Sequence, residues 1–142
     1  MDNNRIAFVC GRGIRFINML TRKEFLFTPD IFITEDILPN SSIDFDFEER
    51  KKQVERKQYV ASGICSVAFN RKRGIFAIAD SYFNPKIRIF NSQTFEQLRI
   101  LSGGAVSEFY DMDFSREGDK LVSLSGVPDH MIRVWDWEKG KM

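Results

Sequence analysis

Residues 129 to 138 read Asp129-His130-Met131-Ile132-Arg133-Val134-Trp135-Asp136-Trp137-Glu138, in which an Ile-Arg pair, two apolar residues and a carboxylate follow one another. The same pattern, Ile-Arg-apolar-apolar-Asn/Asp, stands at Ile87-Arg88-Ile89-Phe90-Asn91 and at Ile14-Arg15-Phe16-Ile17-Asn18. Ile132 lies 45 positions after Ile87, and that offset also superposes Phe69 on Phe114, Asn70 on Ser115 and Val67 on Met112 without a gap. Ile87 lies 73 positions after Ile14, 28 more than the period, and this offset pairs Thr21 with Thr94 and Phe25-Leu26-Phe27 with Leu98-Arg99-Ile100. A fixed period of this length marks repeated supersecondary units. The surplus places a connector or insertion, Asp30 to Tyr59, between the first unit and the second.

Each unit reads as a short antiparallel meander. In the last, Phe109 to Ser115 alternates, with Tyr110, Met112 and Phe114 assigned to one face and Asp111 and Asp113 to the other. Arg116-Glu117-Gly118-Asp119 makes a turn, Lys120 to Ser125 a second strand, Gly126 to His130 a loop and Met131 to Trp137 a third strand. The unit before it follows the same course: Ile64 to Asn70, the turn Arg71 to Gly74, Ile75 to Asp80, the loop Ser81 to Pro85, Lys86 to Asn91, and a fourth strand from Gln97 to Leu101. The N-terminal unit supplies Arg5 to Cys10, a Gly11-Arg12-Gly13 turn, Ile14 to Asn18 and Glu24 to Thr28. Fourteen Phe, two Trp and three Tyr in 142 residues fit a chain made of strands.

Four short strands per unit, a period of 45 and Trp135-Asp136 closing a third strand resemble the WD-repeat family, whose units are blades of a β-propeller. Phe90-Asn91 and Ile17-Asn18 are degenerate forms of the dipeptide. The resemblance is carried by residues 61 to 142 and extends to 5 to 28, but not to 30 to 59. Within the family the chain is similar to the axonemal cilia- and flagella-associated proteins, through Leu101-Ser102-Gly103-Gly104, Asp113-Phe114-Ser115 and the Pro128-Asp129-His130 loop before Trp135-Asp136-Trp137. The fold class this implies is all-β, an incomplete WD-type propeller. Its parts would be a partial blade at 1–29, a charged connector at 30–60, a blade at 61–104 and a blade at 105–142 lacking its last strand. The structural signature is Ile14, Ile87, Ile132, Phe69, Phe114, Trp135 and Asp136. The implied role is a scaffold in an axonemal complex on doublet microtubules, such as an inner dynein arm tether, in the cytoskeleton of a cilium or flagellum. Its implied partners are other protein subunits, including tubulin or dynein-associated proteins. One departure is plain: the family's Gly-His pair is absent, so its buried His, Asp, Ser/Thr and Trp network is not expected. Packing is then expected to hold the blades together.

Composition excludes other classes. A net charge of +1, from 21 Lys plus Arg against 20 Asp plus Glu, with no basic stripe, argues against nucleic acid. The opening MDNNRIAFVC suits neither a secretory signal nor a membrane span. Cys10 and Cys65 have neither metal-ligand nor disulfide-framework spacing and read as reduced core thiols of an intracellular protein. Gly11-Arg12-Gly13 lacks the third Gly and Lys-Ser/Thr of a phosphate loop and reads as a hairpin turn. Gly103-Gly104 reads as a flexible connection between blades. His130 is the sole histidine, in a surface loop beside Asp129, and the acid pairs Asp111 with Asp113 and Asp44 with Asp46 read as solvated edges. Neither catalysis nor a cofactor is expected.

Two features could meet partners. Arg71-Lys72-Arg73 places three like charges in one turn, pointing into water or onto an acidic surface such as tubulin tails. Residues 46 to 57 are charge-rich, with Glu48 and Lys52 at a helix-favouring spacing, and form a solvated connector or an element that orders on a partner. Trp135 and Trp137 share a face and are expected to pack against a neighbouring blade, the alternative being an exposed binding pair. Propellers generally use about four to eight blades. At this period the chain makes three at most, so the reading requires a longer polypeptide, completion by another subunit, or a plain stack of sheets. A general cytosolic WD-repeat adaptor is the competing function.

Overall fold

The computed structural model describes residues 4–29, 63–81 and 84–142. All the regular elements among them are strands: β1 (Arg5–Cys10), β2 (Gly13–Asn18), β3 (Glu24–Phe27), β4 (Ile64–Asn70), β5 (Ile75–Asp80), β6 (Ile87–Asn91), β7 (Gln97–Leu101), β8 (Phe109–Phe114), β9 (Lys120–Ser125) and β10 (Ile132–Asp136). They form three antiparallel meanders, β1-β2-β3, β4-β5-β6-β7 and β8-β9-β10. The connector expected over 30–60, with its Glu48–Lys52 pair and Asp44 and Asp46, lies outside the described residues.

The sheets are stacked face to face, and alternation along β5 shows how. All six residues of β5 are buried: Phe76 and Ile78 point into one cluster with Ile14, Phe16 and Phe90, while Ile75, Ala77 and Ala79 point into another with Phe109, Met112, Phe114, Leu121 and Trp135. The middle sheet is therefore covered on both faces. Each sheet has a front, the side toward the next sheet in sequence, and a back. The first interface joins six phenylalanines to aliphatic residues such as Ile14, Ile64 and Ile78, with Phe76 stacked on Phe69 and on Phe90 at centroid distances of 5.7 and 5.3 Å and Phe27 edge-on to Phe76 at 5.5 Å. This is the all-β architecture of an incomplete propeller, with one four-stranded sheet flanked by two three-stranded ones.

The repeat is also visible in the backbone. Asn18, Asn91 and Asp136, the last residues of the three signature strands, each donate their N–H to a carbonyl five residues on, Lys23, Glu96 and Lys141, at 2.9, 2.9 and 2.8 Å. The side chains of Asn18 and Asn91 accept two N–H groups each from the following turn, at 2.8 to 3.1 Å. Each turn then has one left-handed residue at the same repeat position, Arg22, Phe95 and Gly140, with φ of 54°, 59° and 66°. The Asn/Asp of the motif is thus a turn-former, whose short polar side chain substitutes for missing backbone partners.

Four expectations are corrected. Cys10 is exposed, because it shares with Ile6 and Phe8 the back of β1, a face that no other described residue covers. Tyr110 is exposed and Phe109 buried: a β-bulge between Phe109 and Asp111 resets the alternation, as the equivalent bulge between Ile64 and Ser66 does in β4. Gly103-Gly104 is not a loose tether. Gly104 is buried against the Trp135 ring, and a Cβ there would sit 2.4 Å from Cζ2. Lastly, the buried polar network is partly present despite the missing Gly-His, since Trp135 Nε1 donates to Ser123 Oγ at 2.9 Å.

Candidate interaction surface

The turns fall into two groups at opposite ends of the strands. One end gathers Arg71–Gly74, Arg116–Asp119 and the turns after β2, β6 and β10; the other gathers Gly11–Arg12, the loops before β6 and β10, and Ser102–Glu108. The first end is the charged one. Lys72 pairs with Glu117 and Arg73 with Glu138, both bridging from the middle sheet to the third. Two of the three charges expected to face water or a partner are therefore paired within the chain, and Arg71 is the member of the cluster with no ion pair among the described residues. Lys72 and Glu117 are 45 residues apart, so the sequence period itself pairs them.

The rest of this rim is tied by directional bonds. Asn70 Nδ2 donates to the Ser115 and Arg116 carbonyls at 2.9 and 3.3 Å, and Trp137 Nε1 donates to the Gly118 carbonyl at 2.8 Å. Lys120 and Lys139 both donate to Asp136 Oδ2, at 2.8 and 2.9 Å, and these bonds hold the Asp136 carboxyl well below the usual carboxylate range. Asp136 in turn raises Lys139, and the Ser115 hydroxyl lowers Asp119. Sequence reading placed Asn70 and Ser115 at one repeat position without seeing that they bond, and it missed Glu138, whose partner lies across a sheet boundary that alternation within one strand does not reveal.

At the opposite end and in the interior the groups are structural. The signature arginines meet three kinds of partner: Arg15 faces Glu24 at 3.5 Å, Arg88 faces the buried Asp80 at 3.7 Å while its own buried Nε has no hydrogen-bond partner among the described residues, and Arg133 donates to the Gly104 carbonyl at 2.6 Å. Burial raises Asp80 despite the Lys86 N–H and Arg88 that favour its charged form, and burial likewise raises Cys65. His130 is exposed with φ of 47°, while Asp129 accepts the Val106 N–H at 2.8 Å. Among the described residues no group of three His, Cys, Asp or Glu could hold a metal ion.

The signature residues divide. Ile14, Ile87, Phe114 and Trp135 are buried, as is Trp137 outside the signature, Phe69 is half-buried against Phe16 and Phe76, and Asp136 caps its turn. Ile132, their repeat equivalent, is exposed. What the molecule presents is therefore a charged rim and two apolar sheet faces, the back of β1–β3 and the front of β8–β10.

No protein-family model matches the chain. It is 31% identical over 100 residues to cilia- and flagella-associated protein 44 of Mus musculus, covering 70% of this chain and 5% of that protein. It is 29% identical over 100 residues to cilia- and flagella-associated protein 43 of Mus musculus, and 28% identical over 72 residues to the Xenopus laevis protein of that name. The chain spans only 4% to 6% of the length of these relatives. Proteins named cilia- and flagella-associated proteins 43 and 44 are thus its homologues, over half to 70% of its own length.

Proposed function

We propose that the chain is a non-enzymatic scaffold segment of WD-repeat type in a ciliary or flagellar axonemal complex on doublet microtubules, of the dynein-arm tether kind. The observation that carries the reading is the 100-residue match to a cilia- and flagella-associated protein, 70% of a chain whose described part is a stack of blade-like sheets. Rigid sheets present turns as contact points, and here the charged turns gather on one rim. The test is fractionation of a ciliated cell expressing the tagged chain. Retention on isolated axonemes through salt extraction supports the reading; a wholly soluble pool with no ciliary signal overturns it in favour of a general cytosolic adaptor.

Contact with tubulin's acidic tails belongs to the same reading and centres on Arg71, the exposed base of its turn that makes no ion pair with a described residue. Arg71→Glu is expected to reduce microtubule co-sedimentation while leaving the Lys72 and Arg73 bridges and the melting temperature in place. An unchanged pellet removes tubulin from the list of partners.

A further inference from the structure

The repeat period makes each sheet a reference for the next. Moving 45 positions on from the front of the middle sheet, Ala77 becomes Val122, Ala79 becomes Leu124, Ile87 becomes Ile132 and Ile89 becomes Val134. Through the shared bulge, Cys65 becomes Tyr110. The first four of these middle-sheet residues are fully buried beneath the third sheet. Their equivalents on the third sheet are all apolar and all open, Ile132 being 70% and Val134 56% exposed where Ile87 and Ile89 are 0%. A solvated face would carry polar residues at these alternating positions. The polar residues on this front are Asp111, which stands for Ser66 beside Leu124, and, toward the charged rim, Asp113 for Ala68 and Lys120 for Ile75.

The covered middle-sheet front also shows what kind of occupant such a face takes. Phe109, Met112 and Phe114, from β8, the first strand of the third sheet, supply much of the cover, and β8 runs beside β4. Among its described residues, a second copy of this chain could offer its own β8–β10 front, which is not the back-on-front contact that the third sheet makes with the middle one, or the back of β1–β3. By the 73-residue offset, these strands correspond to β5, β6 and β7, so among the described residues that sheet has no counterpart of β4 or β8.

We propose that the front of the β8–β10 sheet seats a further blade of the same kind. This would be an antiparallel sheet with its own first strand, supplied by polypeptide beyond these 142 residues, with its back over Tyr110, Val122, Leu124, Ile132 and Val134. Its back carries a smaller side chain than Trp135 at the equivalent position, because Val122 and Leu124 fill space that Ala77 and Ala79 leave open. The inference stands on the repeat and its burial, independently of any ciliary role.

The probe is the full chain followed directly by a second copy of residues 98–142, so that Met142 takes the place of Gln97 and the period continues. A second version carries Trp135→Phe in the added copy. Both are made with Cys10→Ser and Ile132→Cys, and maleimide labelling of the new thiol is timed. The 142-residue chain is expected to be a monomer that labels fast, and at least one extended chain to label at least about tenfold more slowly, as for a thiol reached only by local opening. Undiminished labelling in both extended chains overturns the proposal. So does a thiol already protected in the 142-residue monomer, which would assign the cover to the chain itself, or in a dimer, which would assign it to a second copy.

Discussion

Gly104 shows how much one hydrogen atom in place of a methyl can decide. The connection between the second and third sheets passes beneath the Trp135 ring at a separation that leaves no room for a Cβ, while the Gly104 carbonyl receives the Arg133 guanidinium. Gly104→Ala is therefore expected to cost about 1–3 kcal/mol by overpacking, read as a lower urea midpoint at unchanged slope. Ser123→Ala removes the acceptor of the buried indole N–H and is expected to cost about 1–3 kcal/mol. Asp136 gives a pH signature. Its folded-state pKa lies below the ordinary value, so its contribution is present above the ordinary carboxylate range and is lost as pH falls through it. Asp136→Asn keeps the turn-forming acceptor that Asn18 and Asn91 already use and loses the charge. The melting-temperature gap between wild type and variant is expected to be open near neutrality and to narrow below about pH 4.

Among the elements, the turns that follow β2, β6 and β10 are three solutions to one backbone problem, and only the third uses the residue suited to it. Gly140 adopts the left-handed conformation at no steric cost, whereas Arg22 holds it with a side chain in the way. Arg22→Gly is expected to raise stability by up to about 1 kcal/mol, net of the freer unfolded chain, and Gly140→Ala to lower it similarly; paired thermal melts check both signs. The same elements show what sequence could and could not yield. Strand positions and the three-sheet grouping were legible because Ile14, Ile87 and Ile132 mark the period and Gly and Asn punctuate it. Tyr110 was misassigned because a bulge changes the alternation without leaving a mark in composition. Cys10 was misassigned because burial depends on what lies over a strand, which apolar character alone does not specify. The Arg73–Glu138 bridge was hidden because it joins residues with no common repeat position, whereas Lys72–Glu117 was there to be found in the period.

For the whole molecule, protection should follow the stacking. β5 lies between two packed interfaces with every residue buried, while β1 is an edge strand with five of its six residues exposed. Hydrogen exchange is expected to be slowest in β5 and fastest in β1, with β6 closer to β5 than to β7; equal protection in β1 and β5 would refute this picture of the core. The distinction between front and back has a larger consequence. Because the two open faces are different surfaces, the stack has an arrow, and any self-contact of one face on the other leaves a fresh pair of unlike ends. Such growth does not stop at a dimer by symmetry; it either curls into a ring or runs on as a fibre. The further blade proposed on the front of β8–β10 would remove one of those unlike ends and so close off this route.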